Sequence, residues 1–295
     1  MRPTLIFAAI ALAGGAYLLS STGIYGVTLF AIIPTLGGML GAAVYRARTR
    51  TQAAVAGLSA CVVATSAFLL LGLEGIICIL MTLPSSLLFG SLGGLLYLRM
   101  VTGATAKMRA GLLVLPLSMG YDTAAQPPVY EVTSIIEINA PAERVWRNIV
   151  SFPGLAEPEE WHFKTGIAYP TGTRLNGTGI GATRYCDLST GSAVETVTVW
   201  EPGRRLEFDV TETPAPMVEW GLYGDLTPKH LHGYFVSKHG RFLLVSLPGG
   251  RTRLEGTSWY QPGLYPAQYW RVWSDIAIRG IHARVLEHIR KRSEN

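Results

Sequence analysis

Two short stretches gather side chains of the types that move protons or hold metals. Glu157-x-Glu159-Glu160-Trp161-His162 sets carboxylates beside an imidazole and an indole, a composition suited to acid–base work, in which one group gives a proton and another takes it. Glu160 and His162 are the candidate catalytic residues here; the competing reading is a charged loop over a cavity mouth. In His230-x-His232, two imidazoles one residue apart on a strand would face the same side and could ligate a metal. No third ligand follows at a telling spacing, and Pro228 points to a loop, so neither a metal nor a cofactor is assigned. Cys61, Cys78 and Cys186 define no disulfide framework and no metal cage. They read as buried small side chains. Neither Ser nor Cys186 stands in a recognisable nucleophile turn, and the chemistry visible in the residues leans away from catalysis.

The elements that must position these groups change character at Pro127-Pro128. Before Tyr121 the basic residues are Arg2, Arg46, Arg48, Arg50, Arg99, Lys107 and Arg109, against the single acid Glu74. The rest of the chain is near charge balance and holds all six histidines. The positive excess therefore belongs to the apolar half, where it follows the preference of Lys and Arg for cytoplasmic loops. Nucleic acid is excluded as a partner, because binding it needs a basic stripe on the soluble part.

Four apolar stretches, about 5–20, 24–45, 53–73 and 75–98, approach the roughly 20 helical residues that cross a hydrocarbon core. A cleaved signal peptide is disfavoured for the first, since further apolar spans follow it. Placing the Arg46–Arg50 and Arg99–Arg109 clusters in the cytoplasm gives an inside N-terminus and two hairpins. The run 110–121 decides the topology. If it crosses, with Lys107 and Arg109 snorkelling, the soluble half is outside; if it lies in the interface, that half is cytoplasmic. Crossing is the expected case, in a bacterial plasma membrane. No ionisable residue lies deep within a span, so the bundle reads as an anchor and not as a transporter. Gly37 with Gly41 and Gly90 with Gly94 permit close helix approach, either within the bundle or between copies in a homo-oligomer.

After a linker at 122–129, residues 130–295 read as one soluble domain. Period-two alternation marks a strand from Tyr130, Pro141 opens a short helix, and strands follow at 182–188, 193–200, 205–211, 240–247 and 251–260. Glu201-Pro202-Gly203 and Pro248-Gly249-Gly250 are turn sequences between consecutive members. The chain closes on a long helix, 266–292, with Trp273, Ala277, Ile281, Val285 and Ile289 every fourth residue.

Ile136-Glu-Ile-Asn-Ala-Pro-Ala-Glu-Arg-Val-Trp146 with Phe152-Pro-Gly, Trp200-Glu-Pro-Gly-Arg-Arg-Leu-Glu-Phe208 and Gly250-Arg-Thr-Arg-Leu-Glu-Gly256 together resemble the START-related (SRPBCC) superfamily, in particular its polyketide cyclase/dehydrase and lipid-transport branch. The resemblance covers about 130–292. It implies an α+β helix-grip domain, a curved antiparallel sheet wrapped on the C-terminal helix, with an apolar cavity between them. The fold class expected for the whole chain is a transmembrane bundle of four or five helices followed by that domain. Aromatic loading agrees with a cavity, and Trp161, Tyr185, Trp220, Tyr234, Trp259 and Trp273 are its candidate ligand-binding residues. The expected function is a membrane-anchored protein that binds a hydrophobic small molecule or lipid, with the bilayer as its other partner. The alternative is a cyclase/dehydrase-type enzyme on a membrane-partitioned substrate.

Overall fold

The structure, a computed structural model, describes residues 3–101, 106–152 and 154–295. Arg2, Pro153 and the side chains of Lys107 and Arg109 lie outside the described residues. The chain divides into two compact units. One holds Met1–Gln126, Glu219–His230 and Leu264–Pro266; the other holds Pro127–Val218, Leu231–Gly263 and Ala267–Asn295.

The first unit is built on five helices: α1 (Pro3–Thr22), α2 (Ile33–Tyr45) preceded by one π-helical turn (Thr28–Ile32), α3 (Arg50–Leu70), α4 (Ile76–Val101) and α5 (Ala106–Ala124). Four of these segments are long and apolar enough to cross a membrane. Their ends carry specific signals. Thr49 and Gln52 form a reciprocal capping box that starts α3, which satisfies N–H groups that a helix start leaves bare. Gly23 and Gly72 take positive φ after α1 and α3. The outward faces are apolar, with Phe7, Val63 and Leu117 at least 70% exposed, the pattern of helices whose surroundings are not water.

Glycine sets how closely α2, α3 and α4 approach. A Cβ built on Gly38 would meet the Gly90 carbonyl oxygen, and one on Gly94 the Ala53 carbonyl, at 2.0 and 1.9 Å. Gly41 and Gly90 likewise face α3, so three of the four glycines singled out in the sequence are used inside one chain, and only Gly37 borders open space. Because a backbone oxygen cannot rotate away, Gly94→Ala should destabilise the bundle by about 1–3 kcal/mol. Gly37→Ala should not. Melting of the two variants in detergent, followed by helical circular dichroism, checks this; equal melting temperatures would contradict it.

α5 packs near its C-terminal end against the turn that precedes α2. Its Asp122 carboxylate accepts from the backbone N–H groups of Val27 and Thr28 at 2.7 and 2.9 Å, and Ser118 bonds the Thr28 hydroxyl. Tyr25 in turn reaches Glu74 in the α3–α4 turn, so both helix turns and the end of α5 share one end. Arg46 and the end of α4 lie at the other. Helix α5 finishes at the first end and has 19 residues, about 28 Å at 1.5 Å per residue. The apolar run 110–121 is the middle of this longer helix, which is not among the four segments, of the described residues, that are long and apolar enough to cross a membrane.

The second unit opens with β1 (Tyr130–Ile138) and α6 (Ala142–Val150), then β2 (Pro170–Asn176), β3 (Thr183–Leu188), β4 (Gly191–Glu201) and β5 (Arg205–Glu212). The short hairpin β6 (Glu219–Gly221) and β7 (Gly224–Leu226) belongs to the first unit. The chain then completes the second with β8 (Phe235–Leu247), β9 (Arg251–Pro262) and α7 (Ala267–Glu294). Seven strands pair antiparallel in the order β1-β9-β8-β5-β4-β3-β2. Turns at Gly203 and at Gly249-Gly250 take the positive φ that these positions require. With α7 packed along it, this sheet is a helix-grip fold. Its core joins Ile138, Val145, Ile149, Phe152, Leu206, Leu254 and Ile289, side chains from the first strand, the short helix, the central strands and α7.

Candidate functional site

Between the curved sheet and α7 lies a cavity of about 150 Å³, walled on its apolar side by Phe208, Phe242, Ile278 and Leu286. Strand alternation decides which residues face it. Ser258 and Tyr260 of β9 both hydrogen-bond to α7, Ser258 to His282 at 2.9 Å and Tyr260 to Asp275. Trp259, between them, must point the other way. On α7 the buried face runs through Trp270, Ile278, His282, Val285 and Ile289.

Two polar groups stand in this apolar wall. Arg184 on β3 faces Glu195 on β4 in direct register, and the two form a hydrogen-bonded ion pair with 2% and 5% exposure. The guanidinium lies over the Phe208 ring at 4.9 Å, and its Nε is buried with no hydrogen-bond partner among the described residues. Burial pushes Glu195 up, and the Arg184 charge draws it back down. Beside the pair, burial and the Glu195 charge push the Cys186 thiol up to about 12, so it stays protonated and unreactive near neutral pH.

The second polar group is His282. Its Nε2 bonds the Ser258 hydroxyl and its Nδ1 the Ser134 hydroxyl, at 2.9 and 3.2 Å. Burial, with Arg279 adding to it, holds the imidazole down to about 4 from its ordinary 6.5. It is neutral in the folded state, and Nδ1 meets a hydroxyl where a nucleophilic triad would present a carboxylate. The effect on stability has a definite sign. Below pH 6.5 the unfolded chain takes up a proton that the folded chain refuses until about pH 4, so stability falls across that window, by up to roughly 3 kcal/mol. His282→Gln should flatten that part of the pH profile. Unfolding by denaturant, read from tryptophan fluorescence at several pH values between 4 and 7, tests this, and parallel profiles for the two proteins would exclude His282 as the cause.

The residues expected from sequence to line the cavity sit elsewhere. Trp259 donates its indole N–H to Glu131 and stacks under Arg241 on the far side of the sheet. Trp273 packs on Tyr269. Its place on α7 is nearly opposite His282, because nine residues turn a helix through two and a half revolutions. Tyr185 lies under Arg174 at 4.8 Å, Tyr234 is half-buried outside the cavity wall, Trp161 is 76% exposed, and Trp220 belongs to the first unit. The candidate catalytic pair is also apart from the cavity. Glu160 forms an ion pair with Arg284 at 3.0 Å, and His162 packs on Phe163 with its Nε2 against Gly280. The residues that do line the void, Arg184, Glu195 and His282, carried no sequence motif. A charge inside each of two strands otherwise read as alternating was the only trace of the first two.

Comparison with known proteins points to the same part of the chain. A family model described as polyketide cyclase / dehydrase and lipid transport matches residues 130–294. No curated protein matches the chain. Among solved structures, a protein of Nitrosospira multiformis is similar at 18% identity, over 56% of this chain and 96% of that one, with a TM-score of 0.34. The protein XoxI of Bacillus cereus is similar at 15% identity over 55% and 94%, TM-score 0.36. A norcoclaurine synthase of Thalictrum flavum is similar at 12% over 57% and 95%, TM-score 0.36.

Proposed function

The chain belongs to the polyketide cyclase / dehydrase and lipid transport family, and from that premise we propose that it is a membrane-anchored binding protein for a compact apolar molecule carrying one hydrogen-bond-accepting oxygen. The observation that carries this is the apolar cavity with the Arg184 Nε in its wall, which has no hydrogen-bond partner among the described residues. Apolar walls supply affinity, and one fixed donor supplies orientation. A void of about 150 Å³ holds a molecule the size of a single ring; a longer lipid requires α7 to move off the sheet.

Binding is favoured over catalysis by the state of the titratable groups. Glu195 is committed to Arg184, His282 is neutral and held by two hydroxyls, and the Cys186 thiol is protonated, so none of these three is poised to trade a proton near pH 7. The helices supply the anchor. Tethering keeps the cavity near molecules that partition into a bilayer and raises their effective concentration without further contacts.

Titration with a one-ring apolar fluorophore tests the reading. Ala193, in the cavity wall, is replaced by phenylalanine to fill the void. Affinity should fall at least about tenfold in Ala193→Phe, the size of a loss of roughly 1.4 kcal/mol. Trp259→Ala and Trp273→Ala should bind as the parent does. Undiminished binding by a folded Ala193→Phe variant would move the site elsewhere.

A further inference from the structure

The first unit gathers a second set of titratable side chains. Glu74 stands in the α3–α4 turn and Cys78 in the first turn of α4. Glu219 opens β6, and His230 comes after β7 in a single 3-10 turn (Lys229–Leu231). All four are buried, and one donor atom from each lies within 4.8 Å of every other. Cys78 Sγ is 3.0 Å from His230 Nε2, and that nitrogen is 3.3 Å from Glu219 Oε1. His230 Nδ1 is 3.7 Å from Glu74 Oε2.

A hydrogen-bonded core explains this arrangement poorly. His230 Nε2 has one proton or one lone pair to offer, yet both a thiol and a carboxylate approach it. Glu74 Oε2 and His230 Nδ1 are buried and have no hydrogen-bond partner among the described residues, with Glu74 9% and His230 7% exposed. Both carboxylates are also held in the same way. Glu219 Oε2 accepts from the Gly75 backbone N–H at 2.8 Å, and Glu74 Oε1 accepts from the Tyr25 hydroxyl at 3.4 Å. In each, the outer oxygen is tied down and the other is turned toward the imidazole. Two carboxylates crowded out of water in this way are relieved by positive charge.

We propose that Glu74, Cys78, Glu219 and His230 bind one divalent cation of the zinc class. Thiolate, imidazole and carboxylate are the donors zinc takes, and at its usual bond lengths tetrahedral donors stand about 3.3–3.7 Å apart, close to the 3.0 and 3.3 Å from His230 Nε2 to Cys78 Sγ and Glu219 Oε1. A thiolate and an imidazole among four ligands disfavour magnesium and calcium, which take oxygen. The outer hydrogen bonds from Gly75 and Tyr25 orient the ligands, as partners beyond the ligand shell do in metal sites, and the Tyr25 ring packs edge-on to the imidazole at 4.9 Å. Four buried protein ligands make a closed, structural type of site. Its effect is to staple the Glu219–His230 excursion to the α3–α4 turn, where the Tyr223 hydroxyl also bonds the Leu70 carbonyl. Binding deprotonates Cys78 and any protonated Glu74, and those protons leave to solvent.

The test uses the full chain, purified in detergent without chelators. Element analysis should find about one zinc per chain. After removal and replacement by cobalt(II), a thiolate-to-cobalt charge-transfer band should appear in the near ultraviolet. Cys78→Ser, which keeps the side-chain size, should abolish that band; His230→Gln should weaken cobalt affinity by more than about 100-fold, and Tyr25→Phe by about 10-fold. The cobalt spectrum of the parent protein settles the matter even if a variant fails to fold. A folded parent that takes up neither zinc nor cobalt overturns the proposal, as does a charge-transfer band that survives in Cys78→Ser.

Discussion

Replacing Glu195 with alanine is expected to destabilise the second unit by about 3–5 kcal/mol, because it leaves the Arg184 guanidinium in an apolar wall with its charge uncompensated. The pair is nearly sealed from water, so hydration cannot substitute for the lost carboxylate. Replacing both residues, Arg184 with methionine and Glu195 with leucine, should recover most of that loss, since two apolar side chains of similar length fill the space without a desolvation cost. The double variant separates stability from function. It should fold, yet bind its ligand more weakly, because the Nε donor is gone. Denaturant unfolding read by tryptophan fluorescence measures the first effect and fluorophore titration the second. A Glu195→Ala variant within about 1 kcal/mol of the parent, the scale of a single hydrogen bond, would mean that water reaches the pair.

The second large effect is all-or-none. Alkaline phosphatase fused after Asn295 should be active in a bacterial cell, and a fluorescent protein that matures only in the cytoplasm should stay dark at the same position. The Asp122 contact with Val27 and Thr28 supports five crossings: α5 ends beside the α1–α2 turn, opposite the Arg46 cluster. Arginine-rich loops stay in the cytoplasm, so the expected position of the end of α5, and of residues 130–295 after it, is outside. A soluble domain crosses largely regardless of its own charge, so the near neutrality of residues 130–295 is no obstacle. Fluorescence without phosphatase activity would place that domain in the cytoplasm and deny the fifth crossing.

Much of the fold was legible because it rests on local pattern. The alternation from Tyr130 to Ile138, the turns at Gly203 and Gly249-Gly250, and the long closing helix all appear where periodicity put them. Two pieces were missed for physical reasons. Strand β2 begins with Pro170 and contains Gly172, a composition tolerated at the edge of a sheet but unlike a strand interior. The hairpin β6–β7 is three residues on each side, too short for any period to show. The closing helix shows how a correct element misplaced its face. Counting every fourth residue from Trp273 drifts 40° per step around a helix of 3.6 residues per turn, so a stripe that is right at Val285 and Ile289 is wrong at Trp273, and Trp270 is the buried tryptophan.

The sites were less legible, because each is assembled across the sheet or across distant segments. Arg184 and Glu195 are partners only through the β3–β4 register. His230 does meet ligand-type side chains, but they are Glu74, Cys78 and Glu219, while His232, its neighbour in the motif, is exposed. Spacing along the chain carries no trace of a group joined across more than 140 residues.

Mass spectrometry of small molecules that co-purify with the full chain, run in parallel on Ala193→Phe, tests the central claim most directly. The proposed function predicts an apolar compound with one oxygen acceptor, retained by the parent and missing from the variant. The same compound at the same amount in both, or none retained by a folded parent and no apolar probe bound by it, would contradict a ligand held between the sheet and α7.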